Sequence, residues 1–170
     1  MLILSIGSNL SSSFGDRFEN LNLAIYYLNK KKIKIIKKSS FFETLSYPNK
    51  KNPKFINIVI EATTNLNPPE LAATIISIEE LLERKRDKKN DPRTCDIDII
   101  DFYGKIIEFK FKELHFIVPH KKMIFRNFVL FPLHEILPNW SHPVTNKGIT
   151  KLIQDLDDVD KNSILKVEKP

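Results

Sequence analysis

The sequence predicts an α+β fold built on a mainly antiparallel sheet. Three observations carry that expectation. Short apolar runs of strand length recur along the chain, two segments carry helix-start signatures ahead of 3.6-residue apolar stripes, and strands and helices alternate irregularly with hairpin-like pairs between them. A strictly alternating βα pattern, the mark of a parallel sheet, is absent.

Each element has a local reason. Met1–Ile6 is an apolar run that stops at Gly7-Ser8-Asn9 and reads as a short buried strand. Ser11 to Asp16 is a turn. Asp16 and Glu19 have the spacing of a capping box, and Phe18, Leu21, Ile25 and Leu28 then fall on one helical stripe. Ile33–Phe42 reads as one strand with Thr44 at its end, and Leu45–Pro53 as a polar loop bounded by prolines. Phe55–Thr63 alternates as a strand. Asn67-Pro68-Pro69-Glu70 joins a capping Asn, a first-turn Pro and a Glu three residues on, and Leu71, Ile75, Ile78 and Leu82 follow as a stripe. A basic loop, 84–93, leads to a strand at Asp96–Phe102, which Tyr103-Gly104 turns into Lys105–Phe109. Leu114–Val118 is a strand ended by Pro119, Met123–Phe131 holds a short helix ended by Pro132, and Ile149–Leu156 is a final helix. Asp157–Pro170 is polar and shows no clear element. The expected organisation is a single domain over 1–156 with a C-terminal polar extension, 157–170.

Size and composition narrow the function. The chain has 170 residues, 42% hydrophobic and 28% charged, which is ordinary for a globular domain and rules out a wholly disordered chain. One cysteine, Cys95, cannot form an internal disulfide. No apolar segment reaches the ~18 residues of a membrane span, and the first run has no basic flank of a signal peptide; a cytoplasmic protein with no membrane association is expected. The net charge of +6 calls for an anionic partner: nucleic acid, a membrane surface or a phosphorylated small molecule. The lysine block Lys30-Lys31-Lys32, Lys34, Lys37-Lys38 suits a solvated strand edge. The block Arg84, Lys85, Arg86, Lys88, Lys89, Arg93 holds three of the five arginines, the side chain shaped for phosphate.

The most specific feature is Pro92-Arg93-Thr94-Cys95-Asp96-Ile97-Asp98-Ile99. Residues two apart on a strand share a face, so Asp96 and Asp98 project together with Cα atoms ~6.7 Å apart. Such carboxylates repel unless a cation lies between them, and Mg²⁺ takes one or two protein carboxylates and fills its shell with water and phosphate. Two exposed aspartates on a solvated sheet face are the plain alternative. Asp101 has the opposite parity and is expected to stand apart. The four glycines offer no phosphate loop, so phosphates would be held by side chains: Arg84, Arg86, Arg93 and Arg126, helped by His120 and lysines. Glu79 is either an exposed helix glutamate paired to a downstream base or part of that arginine system. Phe55 and Asn57 share a strand face and could stack on and hydrogen-bond a flat heterocycle; core packing is the alternative for Phe55, and more so for Phe128.

In order, Gly7-Ser8-Asn9-Leu10, Ser39-Ser40-Phe41-Phe42-Glu43-Thr44, Phe55-Ile56-Asn57, Glu79 with Arg84 and Arg86, Pro92-Arg93-Thr94 with Asp96 and Asp98, Val118-Pro119-His120, Arg126 with Phe128-Val129-Leu130, and Pro132-Leu133 resemble the 6-hydroxymethyl-7,8-dihydropterin pyrophosphokinases of folate biosynthesis. The resemblance runs from about residue 2 to about residue 156. It implies a ferredoxin-like α+β sandwich, a mainly antiparallel sheet with helices on both faces. It also implies transfer of diphosphate from ATP to the pterin hydroxymethyl group, leaving AMP, with two Mg²⁺ ions. By position, Asp96 and Asp98 would hold the metal and Arg84 and Arg93 would be catalytic. Thr44, Leu45, Ser46, Phe55, Asn57 and Phe128 would line the pterin pocket. Glu79, Arg86, Lys89, Asn90, Ile99, Ile117, His120, Lys121 and Arg126 would face ATP. The implied partners are ATP and the pterin, with no nucleic acid, and a monomer is expected. The chain departs from the family by inserting Ser11–Phe14, by Leu45-Ser46 after Thr44, by Asn90-Asp91 before Pro92, and by Cys95 in place of a common leucine. The competing reading is a basic ferredoxin-like nucleic-acid-binding module. It lacks an RNP1-like glycine and aromatic string, and Asp96 with Asp98 would repel a phosphate backbone.

Overall fold

The computed structural model describes residues 1–86 and 91–169. The chain runs β1 (Leu2–Ser8), α1 (Arg17–Lys30), β2 (Ile33–Lys38), β3 (Phe41–Thr44), β4 (Phe55–Thr64), α2 (Pro68–Leu81), β5 (Asp96–Phe102), β6 (Ile107–Phe111), β7 (Leu114–Val118), a 3-10 turn (Met123–Phe125), α3 (Asn127–Ile136), α4 (Ile149–Gln154), α5 (Asp158–Asn162) and β8 (Ile164–Val167). Six strands form one sheet in the order β5-β1-β4-β3-β8, with β2 also paired to β4, and every pairing is antiparallel.

Alternation along the central strands builds two cores. Leu2, Leu4 and Ile6 of β1, with Ile56, Ile58 and Ile60 of β4, pack with Leu21 and Leu28 of α1 and Leu71, Ile75 and Ile78 of α2. Ile3, Val59 and Ile100 point the other way and pack with Val129, Leu130 and Leu133 of α3, Trp140, and Ile149 and Leu152 of α4. Helices therefore cover both faces. Each such side chain, fully buried, contributes ~1.5–3 kcal/mol by removal from water.

Both expected helix starts are present. Asp16 accepts from Phe18 N and Glu19 N while Glu19 reaches back to Asp16 N, and Asn67 and Glu70 do the same for α2. Four expectations fail for identifiable reasons. The expected strand 33–42 breaks at Ser39-Ser40, where Ser39 Oγ accepts from Val59 N (3.0 Å) in place of a ladder bond and Glu135 of α3 accepts from Ser40 N and Oγ. Pro132 lies inside α3 and does not end it. The strand after Tyr103-Gly104 starts at Ile107 and pairs with β7 in a separate two-stranded sheet, so it forms no hairpin with β5. The tail beyond residue 156 is structured: it forms α5, then β8, which adds to the sheet beside β3. Among the described residues no helix is long and apolar enough to cross a membrane.

Candidate active site

The site forms where the N-terminal end of β5 meets the C-terminal end of β1. Asp96 is in register with Gly7, Gly7 with Asn57, and Asn57 with Phe42, so one row crosses four strands. Asp98 lies two residues along on the same face. A bulge in β5 beside Ile3 and Leu4 then changes the parity, bringing Asp101 onto the face of the two aspartates, against expectation. It still takes no part: its carboxylate accepts from Trp140 Nε1 (2.9 Å) and Gly104 N (2.7 Å) and is buried.

Both aspartates are wrapped in guanidinium groups. Asp96 receives Arg84 Nη1 at 2.6 Å and Arg93 Nε at 2.8 Å, and Asp98 receives Arg126 Nη1 at 2.8 Å. Burial pushes the Asp96 carboxyl up, but Arg84 and Arg93 outweigh it and hold the group below its ordinary value. The same arginines cover the candidate aromatics: Arg93 lies 5.2 Å above the Phe55 ring and Arg126 5.4 Å above that of Phe128. Each guanidinium thus links one carboxylate to one aromatic face.

Glu79 settles its two readings. It is 1% exposed, and its carboxylate receives Arg84, Arg86 and the Ile97 N–H (2.7 Å). It fixes the arginines of the segment after α2 to the strand that carries the aspartates. Burial pushes its pKa up to about 7, against the pull of Arg84, Arg86 and the Ile97 N–H. Glu83, directly before Arg84, accepts from Ser13 N (2.9 Å) and Ser13 Oγ, so the inserted Ser11–Phe14 turn is tied to the foot of the arginine arm.

Glu79, Arg84, Arg86, Asp96, Asp98, Ile99, Ile117 and His120 line one cleft of about 210 Å³, walled on the other side by Ile75, Ile76 and the β7 strand. Burial lowers the His120 pKa and Arg126 adds to this, while Asp98 opposes it. Buried Arg84 Nε has no hydrogen-bond acceptor among the described residues, which marks the cleft as a place for an acceptor-rich anion. Arg126 reaches it only through Asp98. Lys121 is exposed and outside the lining, and Lys89 and Asn90 fall outside the described residues.

A second group lies across Gly7. Asn57 Nδ2 donates to Thr44 Oγ1 (3.0 Å), both buried, leaving Phe55 half-buried beside them. Ser46 is buried, whereas Leu45 is exposed. Sequence reasoning missed Asn9 and Gly7 as site residues. Asn9 Oδ1 accepts from Arg93 N (2.7 Å), and its amide donates to Ser46 Oγ (3.2 Å) and Pro53 O (3.1 Å). It joins the arginine loop to the 45–53 loop. The signal was visible as Gly7-Ser8-Asn9 after a strand, but nothing local says where the Asn side chain reaches. At Gly7 a Cβ would sit 2.9 Å from Asn57 Oδ1 and 3.4 Å from Phe55. Gly7→Ala is therefore expected to push Asn57 and Phe55 aside and cost ~1–3 kcal/mol of overpacking. A thermal melt should show a midpoint lowered by several degrees, and an unchanged midpoint would mean the row across β1 is loosely packed.

The donor set suits a hard divalent cation. Among the described residues no third His, Cys, Asp or Glu joins the two carboxylates, and two carboxylates with room for water and phosphate oxygens match Mg²⁺. Both side chains are partly exposed, and their partners among the described residues are arginines.

A family model, 7,8-dihydro-6-hydroxymethylpterin-pyrophosphokinase, matches residues 3–138. The chain is 40% identical over 105 residues to a 2-amino-4-hydroxy-6-hydroxymethyldihydropteridine pyrophosphokinase of Synechocystis, covering 62% of this chain and 52% of that one. It is 35% identical over 146 residues to the enzyme of the same name from Aquifex aeolicus, covering 86% of each. The chain spans about half the length of the first of these relatives. A crystal structure of Plasmodium falciparum HPPK-DHPS with pteroate superposes with a TM-score of 0.72 at 15% identity, over 97% of this chain and 46% of that one, a likeness of fold alone.

Proposed function

The chain belongs to the 7,8-dihydro-6-hydroxymethylpterin-pyrophosphokinase family, and from that premise we propose that it transfers diphosphate from ATP to the hydroxymethyl group of 6-hydroxymethyl-7,8-dihydropterin. The observation that carries the reading is the Asp96–Asp98 pair on one strand face, ringed by Arg84, Arg93 and Arg126 at the mouth of a cleft where the buried Arg84 Nε has no acceptor among the described residues. The hydroxymethyl oxygen attacks the β-phosphorus of ATP and loses its proton to solvent. The bond from that phosphorus to the oxygen bridging it to the α-phosphorus breaks, and AMP departs with the bridging oxygen.

Asp96 and Asp98 would hold two Mg²⁺ ions, which when bound supply charge neutralisation to the phosphates. The protein's own share is placement and electrostatics, as expected for a phosphoryl-type transfer. Arg84 and Arg93 would turn from the carboxylates to the phosphate oxygens, with Arg86 and Arg126 beside them. Glu79 holds Arg84 and Arg86 at a fixed reach. His120 and the Ile99 and Ile117 strands would wall the nucleotide. Phe55 and Phe128, once the guanidiniums leave their faces, would sandwich the pterin ring. Asn57 and Thr44 would bind its polar edge.

The succession β1-α1-β2/β3-β4-α2-β5, with order β5-β1-β4-β2, supports a ferredoxin-like description of the sheet. The outer helices α3 and α4 are additions on its second face.

The purified protein with ATP, Mg²⁺ and the pterin should form AMP and pterin diphosphate in equal amounts. Formation of ADP, or AMP release that does not depend on the pterin, would overturn the reading.

A further inference from the structure

We propose that residues 157–169 are a strap that holds the two walls of the pterin site in place, and that Asn127 is the positioning residue through which it acts. The proposal rests on the reading of Thr44 and Phe128 as pterin-facing residues.

The strap touches both walls. On one side, β8 pairs with β3 so that Ile164 lies opposite Thr44 and Lys166 opposite Phe42, the strand neighbour of Asn57. Thr44 is the last residue of β3, where a strand end would otherwise fray, and β8 fixes it from outside. On the other side, Asn127 opens α3 directly before Phe128. It is buried, and its amide nitrogen donates to Asp160 O (2.6 Å) and Ser163 Oγ (3.0 Å), both in the strap. The N-terminus of α3 has no side-chain cap, so this amide, of a type that would usually cap a helix, is turned to the strap instead. Lys166 pairs with Glu135 of α3 at 3.5 Å, and Lys169 with Glu19 of α1 at 2.9 Å. The strap therefore links β3, α3 and α1.

The consequence separates the two substrates. None of the strap's residues lines the nucleotide cleft, whereas its contacts fall on residues adjoining Thr44 and Phe128. All of it lies beyond the 3–138 segment that matches the family model. The ring spacing of a stacked sandwich tolerates little error, so loosening the strap should lower pterin affinity and leave nucleotide affinity alone.

The test uses the full chain and two variants, Asn127→Ala and Ser163→Ala, with Phe55→Ala as a reference. Pterin binding is measured with Mg²⁺ and a non-hydrolysable ATP analogue, and binding of the analogue is measured alone. Losing both donated bonds should weaken pterin binding about ten-fold for Asn127→Ala, and losing one acceptor about three-fold for Ser163→Ala, with analogue affinity within about two-fold of wild type. Equal weakening of both ligands, or a lowered melting midpoint with pterin affinity unchanged, would reduce the strap to a general stabiliser and overturn the proposal. If Asn127→Ala does not fold, Ser163→Ala decides by the same criterion. Phe55→Ala tells the failures apart: if it leaves pterin affinity intact the pocket assignment is wrong, and if it weakens binding while the strap variants do not, only the strap proposal is wrong.

Discussion

Asp98→Ala is expected to fold normally and to lose at least about three orders of magnitude in the rate of AMP formation, or ~4 kcal/mol of barrier. The two halves of this expectation have separate grounds. Asp98 is 30% exposed, and among the described residues its one ion pair is with Arg126, itself 26% exposed. Exposed pairs of this kind contribute ~0–1 kcal/mol to stability, so the melting midpoint should move by no more than about 3 °C. Catalysis, by contrast, would lose one of the two carboxylates proposed to hold the metal, and with it part of the metal's neutralisation of the triphosphate charge. Melts and AMP release at saturating Mg²⁺ read the two effects independently. Turnover within about ten-fold of wild type would remove Asp98 from the metal site, since metal-type charge stabilisation is worth several kcal/mol.

The same residue shows what could be read in advance. Period-2 alternation is local information, and it placed Asp96 and Asp98 on one face correctly. It failed three residues later at Asp101, because the bulge beside Ile3 and Leu4 is set by the register between strands. The capping boxes at Asp16 and Asn67 are self-contained within four residues, and both helices start where they indicate. The break at Ser39-Ser40 depends on Val59 N and Glu135, distant in sequence, and β8 depends on an open edge at β3. Ile164–Val167 carries β-branched residues, but at four residues after a polar run it is too short a signal to mark a strand by itself. Within the site, Glu79, Arg86, Ile99, Ile117 and His120, picked out by family spacing, lie in one cleft, whereas Arg126 and Lys121 do not line it. The contacts of Asn9, which joins segments 37 and 84 residues away, were not legible, because a side chain's reach depends on which loops the fold brings to it.

Glu79 is expected to give the largest stability effect and a distinctive pH signature. Glu79→Ala takes from Arg84 and Arg86 the carboxylate both pair with, and leaves the Ile97 N–H without its acceptor. Removing one member of a buried ionic cluster costs ~3–5 kcal/mol, which lowers the melting midpoint by about 10 °C for a chain of this size. The pH dependence follows from burial raising the carboxyl from 4.5 to about 7. Below pH 4.5 both folded and unfolded chains carry the proton, and the group does not affect the balance. Between 4.5 and about 7 the unfolded chain has released its proton while the folded chain retains it, so this group makes stability fall as pH rises. Asp96, held below its ordinary value, acts in the opposite sense and at lower pH. Glu79→Gln keeps the shape and removes the titration. Relative to wild type, its melting midpoint should improve as pH rises from 4.5 to about 7 and then level off. Parallel curves would mean that the three donors around Glu79 keep it ionised throughout, and that its burial is fully compensated by Arg84, Arg86 and the Ile97 N–H.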